Sequence, residues 1–302
     1  MNCVVYNPRK SLMPPNPSNS KSALSRQMQR LRRQVDQTDR KILRLLQQRT
    51  KLSEKIGAMK RRHQADVYVP ERERELLARV TRQGRGKLPP SAVTAIYREI
   101  LSSSRAAQGQ APIGLLRASA AEVKSPARWC FGACDDFQLM ARWPAMATGL
   151  ESGALAVALL TGQDLAEVLH SRREQQAFFD RFAVVGDFAG TDEALAGRIF
   201  IVMRRGKGAA AEANRILILI ECKSTVNAVK TLLHSMPDRP IHAEQLNLRT
   251  RPNHRTTLAL VRLAMPQPMD GICAIGQVLT ARKAVGFEIS ILGVYPGQEN
   301  GG

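Results

Sequence analysis

From Leu31 to Lys60 the chain reads LRRQVDQTDRKILRLLQQRTKLSEKIGAMK, with no proline and one glycine, Gly57. Leu31, Val35, Ile42, Leu45, Leu46, Leu52, Ile56 and Met59 recur at three- and four-residue intervals, the period of an amphipathic helix. Helix propensity is high throughout, so the stretch predicts one helix of roughly 45 Å or more. A stripe that long cannot be buried against its own helix. It demands other helices, and with few close in sequence, a second copy of the chain.

The polar positions on this helix narrow the reading. Arg49 and Lys60 stand eleven residues apart, about three turns, hence on one face. Between them come Ser53 and Gly57, small residues that leave room against the backbone. Two long cations flanking a shallow gap suit a small anion with two separated negative groups. Arg32 stands seventeen residues before Arg49. It is rotated by roughly 100° from it, and so suits a gap on a partner helix. On this pattern alone the plainer alternative, three of many solvated cations, stays open.

The chain continues as VYVPERERELL (Val67 to Leu77), breaks around Gly84 to Pro90, and resumes as AIYREILSSSRAAQ (Ala95 to Gln108). In that order residues 29–108 resemble the all-α chorismate mutases, above all the first domain of bifunctional chorismate mutase–prephenate dehydratases. The resemblance implies a three-helix domain over residues 26–110 that forms an intertwined homodimer with shared active sites. It puts the family's first-helix arginine, which reaches into the partner's site, on Arg32. Its later arginine and lysine of that helix fall on Arg49 and Lys60. The arginine–glutamate pair opening the second helix falls on Arg72 and Glu73, and the serine and glutamine of the third on Ser104 and Gln108. Position 69 departs: the family often has Asp where this chain has Val69, but the family's ligand contact there is through the main-chain amide.

The implied chemistry is a Claisen rearrangement of chorismate to prephenate, which draws on no metal or other cofactor. Arg32 of the partner and Arg49 would hold the two carboxylates, with Arg72 closing the site and Ser104 lining the carboxylate end. Lys60 and Gln108 would donate to the breaking ether oxygen, and Glu73 would accept from the ring hydroxyl. No such side chain lies beyond residue 113, so deleting residues 113–302 is expected to keep activity within about tenfold.

Net charge is +19 over 302 residues, which would ordinarily raise nucleic acid as a partner. Residues 26–88 hold nineteen Lys/Arg against seven Asp/Glu, so much of the excess sits on the mutase-like stretch. A dianion site explains a few of those charges; the surplus steers acidic substrate or binds polyanions loosely. A non-enzymatic basic helical module is the corresponding alternative, and the full set of site residues argues against it and against nucleic acid. Residues 1–25, rich in Pro, Ser and Asn, predict a disordered tail. No run reaches signal-peptide or membrane-spanning length, which points to a cytoplasmic protein with no membrane partner. Five scattered cysteines and five histidines without paired spacing frame neither disulfides nor a metal site.

After Gln108, residues 111–126 are Ala/Ser-rich and read as a linker. Residues 127–206 alternate short apolar runs with helical pieces, an α/β pattern. FAVVGDFAGTDEALAGRIFIVMRRG resembles the end of the prephenate dehydratase domain. The family's Thr-Arg-Phe motif falls on Gly197, Arg198 and Ile199, so the arginine is kept and the catalytic hydroxyl is lost. With about half the family's length, the segment reads as a degenerate, inactive dehydratase; a still bifunctional mutase–dehydratase is the alternative. Residues 213–297 read strand, helix, two strands, helix, strand, a ferredoxin-like βαββαβ unit. It resembles the ACT regulatory domain, down to a closing LGVYP. The family's effector motifs are replaced around Ser224 to Val229 and at Arg249 to Pro252, which argues against phenylalanine binding and leaves an assembly role.

Overall fold

The computed structural model describes residues 17–84, 86–170, 172–190, 195, 197–205, 213–222, 225–236, 240, 242–247, 257–285 and 288–296. The chain divides into two compact units, residues 1–52 and 53–302.

The apolar repeat forms a single helix, α1 (Pro17–Arg62), of 46 residues, about 69 Å at the rise of an α-helix. It begins inside the stretch expected as a tail, so residues 17–25 are helical, a correction; residues 1–16 lie outside the described residues. A proline costs little at a helix start, where its missing N–H has no partner to lose. Lys60, Arg61 and Arg62 occupy the last turn and offset the negative end of the helix dipole. Gln64, at φ 51°, ends the helix in the left-handed region, and the Ala65 amide donates back to the Lys60 carbonyl at 2.9 Å. In the first unit the stripe stays open to solvent: Leu31, Val35, Ile42, Leu45 and Leu52 are each at least half exposed.

Two shorter helices follow, α2 (Pro70–Gln83) and α3 (Pro90–Gln108). Each opens on a proline, and Gly109 at φ 74° closes α3. The three helices match the expected all-α layout.

The expected linker is a correction. Residues 113–116 form β1 (Ile113–Leu116), and α4 (Ala120–Phe131) begins within it. Ile113 and Leu115 are fully buried, and burial of a four-residue strand outweighs the loop-like composition around it. Then come β2 (Phe137–Met140), α5 (Trp143–Ser152), β3 (Val157–Thr161), α6 (Gly162–Val168), α7 (Arg172–Arg181), β4 (Phe182–Phe188) and β5 (Ile199–Arg204). The sheet order is β2-β1-β3-β5-β4, parallel from β2 to β3 and antiparallel from β3 to β4.

The second sheet holds β6 (Ala213–Cys222), β7 (His242–Asn247), β8 (Thr257–Met269) and β9 (Glu288–Tyr295), with helices α8 (Thr225–Ser235) and α9 (Gly271–Val285). Its order β7-β8-β6-β9 is antiparallel throughout, the βαββαβ arrangement that the strand and helix runs predict. Period-two alternation along β6 divides its side chains between two cores. Ile216, Ile218 and Ile220 pack with Val229, Leu232 and Val278 of the helices, while Leu217 and Leu219 join Trp143 of α5, Phe178 of α7 and Phe200 of the first sheet. The strands of the two sheets approach closely where β9 meets β4: a Cβ on Gly293 would lie 2.2 Å from the Val184 carbonyl oxygen. Only glycine fits there, which gives the closing LGVYP a packing reason. Of the positions expected to replace the effector motifs, Thr225 to Val229 open α8, while Ser224 and Arg249 to Pro252 lie outside the described residues.

Candidate active site

Glu73 sits in the first turn of α2 because Pro70 starts the helix and Val69, extended at φ −130°, caps it without a side-chain bond. Glu71 and Glu73 both fall in that turn, where the helix dipole favours negative charge. Glu73 points inward. Arg105 Nη1 donates to both of its carboxylate oxygens at 2.6 Å.

Arg105 is the most committed side chain of the region, 3 % exposed. Its Nε donates to Asp135 Oδ1 at 3.1 Å and its Nη2 to Asp135 Oδ2 at 2.8 Å. Nη2 also donates to the Phe131 carbonyl. Its guanidinium lies 5.8 Å from the ring centres of Tyr68 and Phe131. Asp135 in turn accepts from Ser102 Oγ at 2.6 Å and Gln110 Nε2 at 3.0 Å. Burial works against the Arg105 charge, but the bonds and charges of Asp135 and Glu73 outweigh it and hold the group above the ordinary arginine value. Burial pushes the Glu73 carboxyl up; Arg105 opposes that shift, Asp135 adds to it, and Lys60 opposes it.

Lys60, on the last turn of α1, is half-buried and donates from Nζ to the Val67 carbonyl at 2.9 Å. Burial lowers its amine, while Asp66 and Glu73 pull it back up. Gln108 ends α3 with Nε2 on the Ser104 carbonyl at 3.1 Å. Its buried Oε1 has no hydrogen-bond partner among the described residues. Ser104 is buried, and its hydroxyl donates to the Ile100 carbonyl at 2.7 Å. Arg72 is the outlier: it is exposed and lies 3.8 Å from Glu75 on its own helix.

The gap expected at Gly57 is a second correction. A Cβ there would lie 2.5 Å from the Gln108 carbonyl oxygen and 2.6 Å from its Cα. The missing side chain makes room for the backbone end of α3, not for an anion. Arg61 Nη1 fastens the same junction, donating to the Gln108 carbonyl at 2.8 Å. The second unit thus gathers Lys60, Glu73, Ser104 and Gln108 around the ends of its helices. Arg32, exposed, and Arg49, half-buried, belong to the first unit.

Sequence reasoning missed Arg105 and Asp135. Arg105 stands in plain view between Ser104 and Gln108, three residues before the latter and so on a neighbouring line of the helix. An arginine beside two site positions was the available signal. Nothing comparable marked Asp135, thirty residues away.

Farther along, Arg198 is paired by its Nε with Asp187, which is fully buried. Arg262 Nε reaches the same Asp187 Oδ2 at 2.8 Å, and Arg262 Nη1 lies 3.3 Å from Glu244. The arginine kept from the dehydratase-like motif is therefore part of an internal ion-pair cluster.

Residues 31–109 match the family Chorismate mutase type II. The chain is 34% identical over 110 residues to a bifunctional chorismate mutase/prephenate dehydratase of Aquifex aeolicus (35% of this chain, 30% of that protein). It is 35% identical over 85 residues to the protein of the same description from Neisseria gonorrhoeae (28% and 23%). With a T-protein of Enterobacter agglomerans it shares 33% over 75 residues (24% and 20%). The chain thus spans less than a third of the length of these curated relatives. Among solved structures, a prephenate dehydratase from Streptococcus mutans aligns at 12% identity and TM-score 0.41, over 63% of this chain and all of that one. GqqA, described as a novel type of quorum quenching acylase, aligns at 15% and 0.43, over 62% and 95%. Residues 31–109 are a chorismate mutase type II domain, followed by an α/β region with two mixed or antiparallel sheets.

Proposed function

We propose that this protein converts chorismate to prephenate, with the reaction carried by Arg32, Arg49, Lys60, Arg72, Glu73, Ser104 and Gln108. The observation that carries the reading is the family match over residues 31–109, a stretch that contains all seven residues. In the rearrangement the ether carbon–oxygen bond breaks while a carbon–carbon bond forms within one molecule, so no proton or electron leaves the substrate. The enzyme's task is positioning and stabilising charge that develops on the ether oxygen.

Lys60 carries three N–H donors, so its bond to the Val67 carbonyl leaves donors for that oxygen. Gln108 needs no protonation to donate. Glu73 accepts from the ring hydroxyl, and Ser104 borders the carboxylate end. Arg72 is exposed, and its loose surface pair with Glu75 is of a kind worth about 0–1 kcal/mol, so swinging over the ligand costs little. Arg32 would come from a second copy, and the open apolar stripe on the first part of α1 supports that homodimer.

The dehydratase-like part is read as inactive. Gly197 has no hydroxyl, and Arg198 is held by the buried Asp187. The βαββαβ unit is read as ACT-like, with an assembly role. The activity belongs to the cytoplasmic synthesis of phenylalanine and tyrosine. Following loss of chorismate on purified protein tests the main reading; no turnover would overturn it. Supplying prephenate to the same protein should yield no phenylpyruvate, and its appearance would restore the bifunctional alternative.

A further inference from the structure

Arg105 joins two parts of the chain that the family resemblance treats as separate. On one side stands Glu73 of the mutase domain; on the other stand Asp135 and the Phe131 carbonyl of the α/β region, at and just after the end of α4. Asp135 is itself fixed. Its two oxygens accept from Ser102, Gln110 and Arg105, and its side chain is 1 % exposed. Ser102 closes the loop by accepting the Cys134 amide at 3.0 Å. A guanidinium has a planar fork of donors with no freedom to bond both carboxylates in more than one orientation. Locking Asp135 therefore locks Arg105, and Arg105 sets where the Glu73 carboxylate points.

We propose that Arg105 is a positioning residue for Glu73, aligned by Asp135, so that the α/β region completes the mutase site through a side-chain relay without touching the ligand. The task of Glu73 rests on the mutase reading; the relay itself does not. The charged and titratable groups facing Glu73 are Lys60 from α1, Tyr68 ahead of α2, Arg105 from α3 and Asp135 beyond α4. A carboxylate between one cation and a second carboxylate gives the relay a two-signed signature. Removing the Arg105 charge must raise the pH at which Glu73 ionises; removing the Asp135 charge must lower it.

The test uses the full-length chain with Arg105→Gln, Arg105→Lys and Asp135→Asn. Two readouts are taken: the pH profile of kcat for chorismate loss, and the titration of the Glu73 carboxyl by carbon NMR. In the profile, Arg105→Gln should move the acid limb to higher pH and Asp135→Asn to lower pH. Each should lose about ten- to a hundredfold in kcat, with KM changed far less, the size of loss a small misplacement causes. Arg105→Lys should restore the acid limb but not kcat, because it returns the charge without the fork. Unmoved limbs with kcat near wild type would overturn the relay. Should Arg105→Gln fail to fold, the opposite shift in Asp135→Asn still decides. A wild-type protein without turnover sinks the mutase reading, and the NMR midpoint of Glu73 then decides the relay: one that ignores Asp135→Asn overturns it.

Discussion

Lys60 Nζ donates to the Val67 carbonyl at 2.9 Å, which seats the end of α1 over the segment that leads into α2. The amine is held in place before any ligand arrives, and a preorganised donor costs little reorganisation when charge develops. Lys60→Ala should therefore lower kcat far more than it raises KM. Loss of one such donor typically costs about 3 to 4 kcal/mol, on the order of a hundred- to a thousandfold in rate. Steady-state kinetics checks it; a pure KM effect would mean that Lys60 binds the ground state only.

The same amine gives a pH prediction. Burial lowers it from the usual lysine value of 10.5, against the pull of Asp66 and Glu73. Only the protonated amine donates fully, so activity should fall on the alkaline side at a pH below that of an exposed lysine. Asp66→Asn removes one of the charges that raise the amine, and should shift the alkaline limb still lower. A limb that stays in place would place its titrating group elsewhere.

Much of this architecture is legible in the sequence, for physical reasons. The stripe from Leu31 to Met59 leaves no alternative to a long helix, and the unbroken apolar run in RILILIEC suits a strand buried on both faces. Seven proposed site positions are read from the spacing of a resemblance, and the second unit holds five of them, Lys60, Arg72, Glu73, Ser104 and Gln108. What is not legible depends on tertiary contact. Four apolar residues, Ile113 to Leu116, do not declare themselves a central strand inside an Ala/Ser-rich run. Gly57 reads as a gap because sequence does not show that the end of α3 fills it. The partner of Arg105 is invisible for the same reason: thirty residues separate it from Asp135, and only packing of α3 on α4 brings them together.

Tyr68 predicts how the second unit responds to alkali. It is buried, with its ring 5.4 Å from that of Phe131. Burial pushes its phenol well above 10.0; Glu73 and Cys130 add to the shift, and Arg105 and Arg74 oppose it. With a raised folded-state value, the unfolded chain loses the proton first. The stabilisation is thus fully present below about pH 10 and is lost as pH climbs towards the folded-state value. Tyr68→Phe cannot ionise in either state, so urea midpoints above about pH 10 should fall less steeply than in wild type. Tyr295, shifted up by burial as well, should leave a residual slope. An unchanged slope would assign the alkaline loss to other groups.

The open stripe on the first unit separates a dimer from a monomer. Leu45 is 63 % exposed. In a monomer, Leu45→Glu at such a surface position should change stability by no more than about 0.5 kcal/mol. In a dimer that covers it, the loss should reach about 1.5–3 kcal/mol per copy, and apparent stability should depend on protein concentration. Sedimentation of the wild type and the variant decides. A monomeric wild type would remove the shared site built around Arg32.

Truncation tests how far the mutase domain stands alone. The positions of the seven site residues suggest that deleting residues 113–302 leaves activity within about tenfold, roughly 1.4 kcal/mol in barrier. The ion pairs argue otherwise. The cut removes Asp135 and the Phe131 carbonyl, and with them every partner of Arg105 named above except Glu73 and Tyr68. It also strips Phe131 from Tyr68 and opens the Glu73–Arg105 pair to water, where such a pair is worth only about 0–1 kcal/mol. The fragment should therefore keep its helical circular dichroism and still fall more than about tenfold in kcat. Adding Asp135→Asn to the full chain should reproduce part of that loss without any truncation. A helical fragment with undiminished kcat would show that Glu73 needs no alignment from beyond α3.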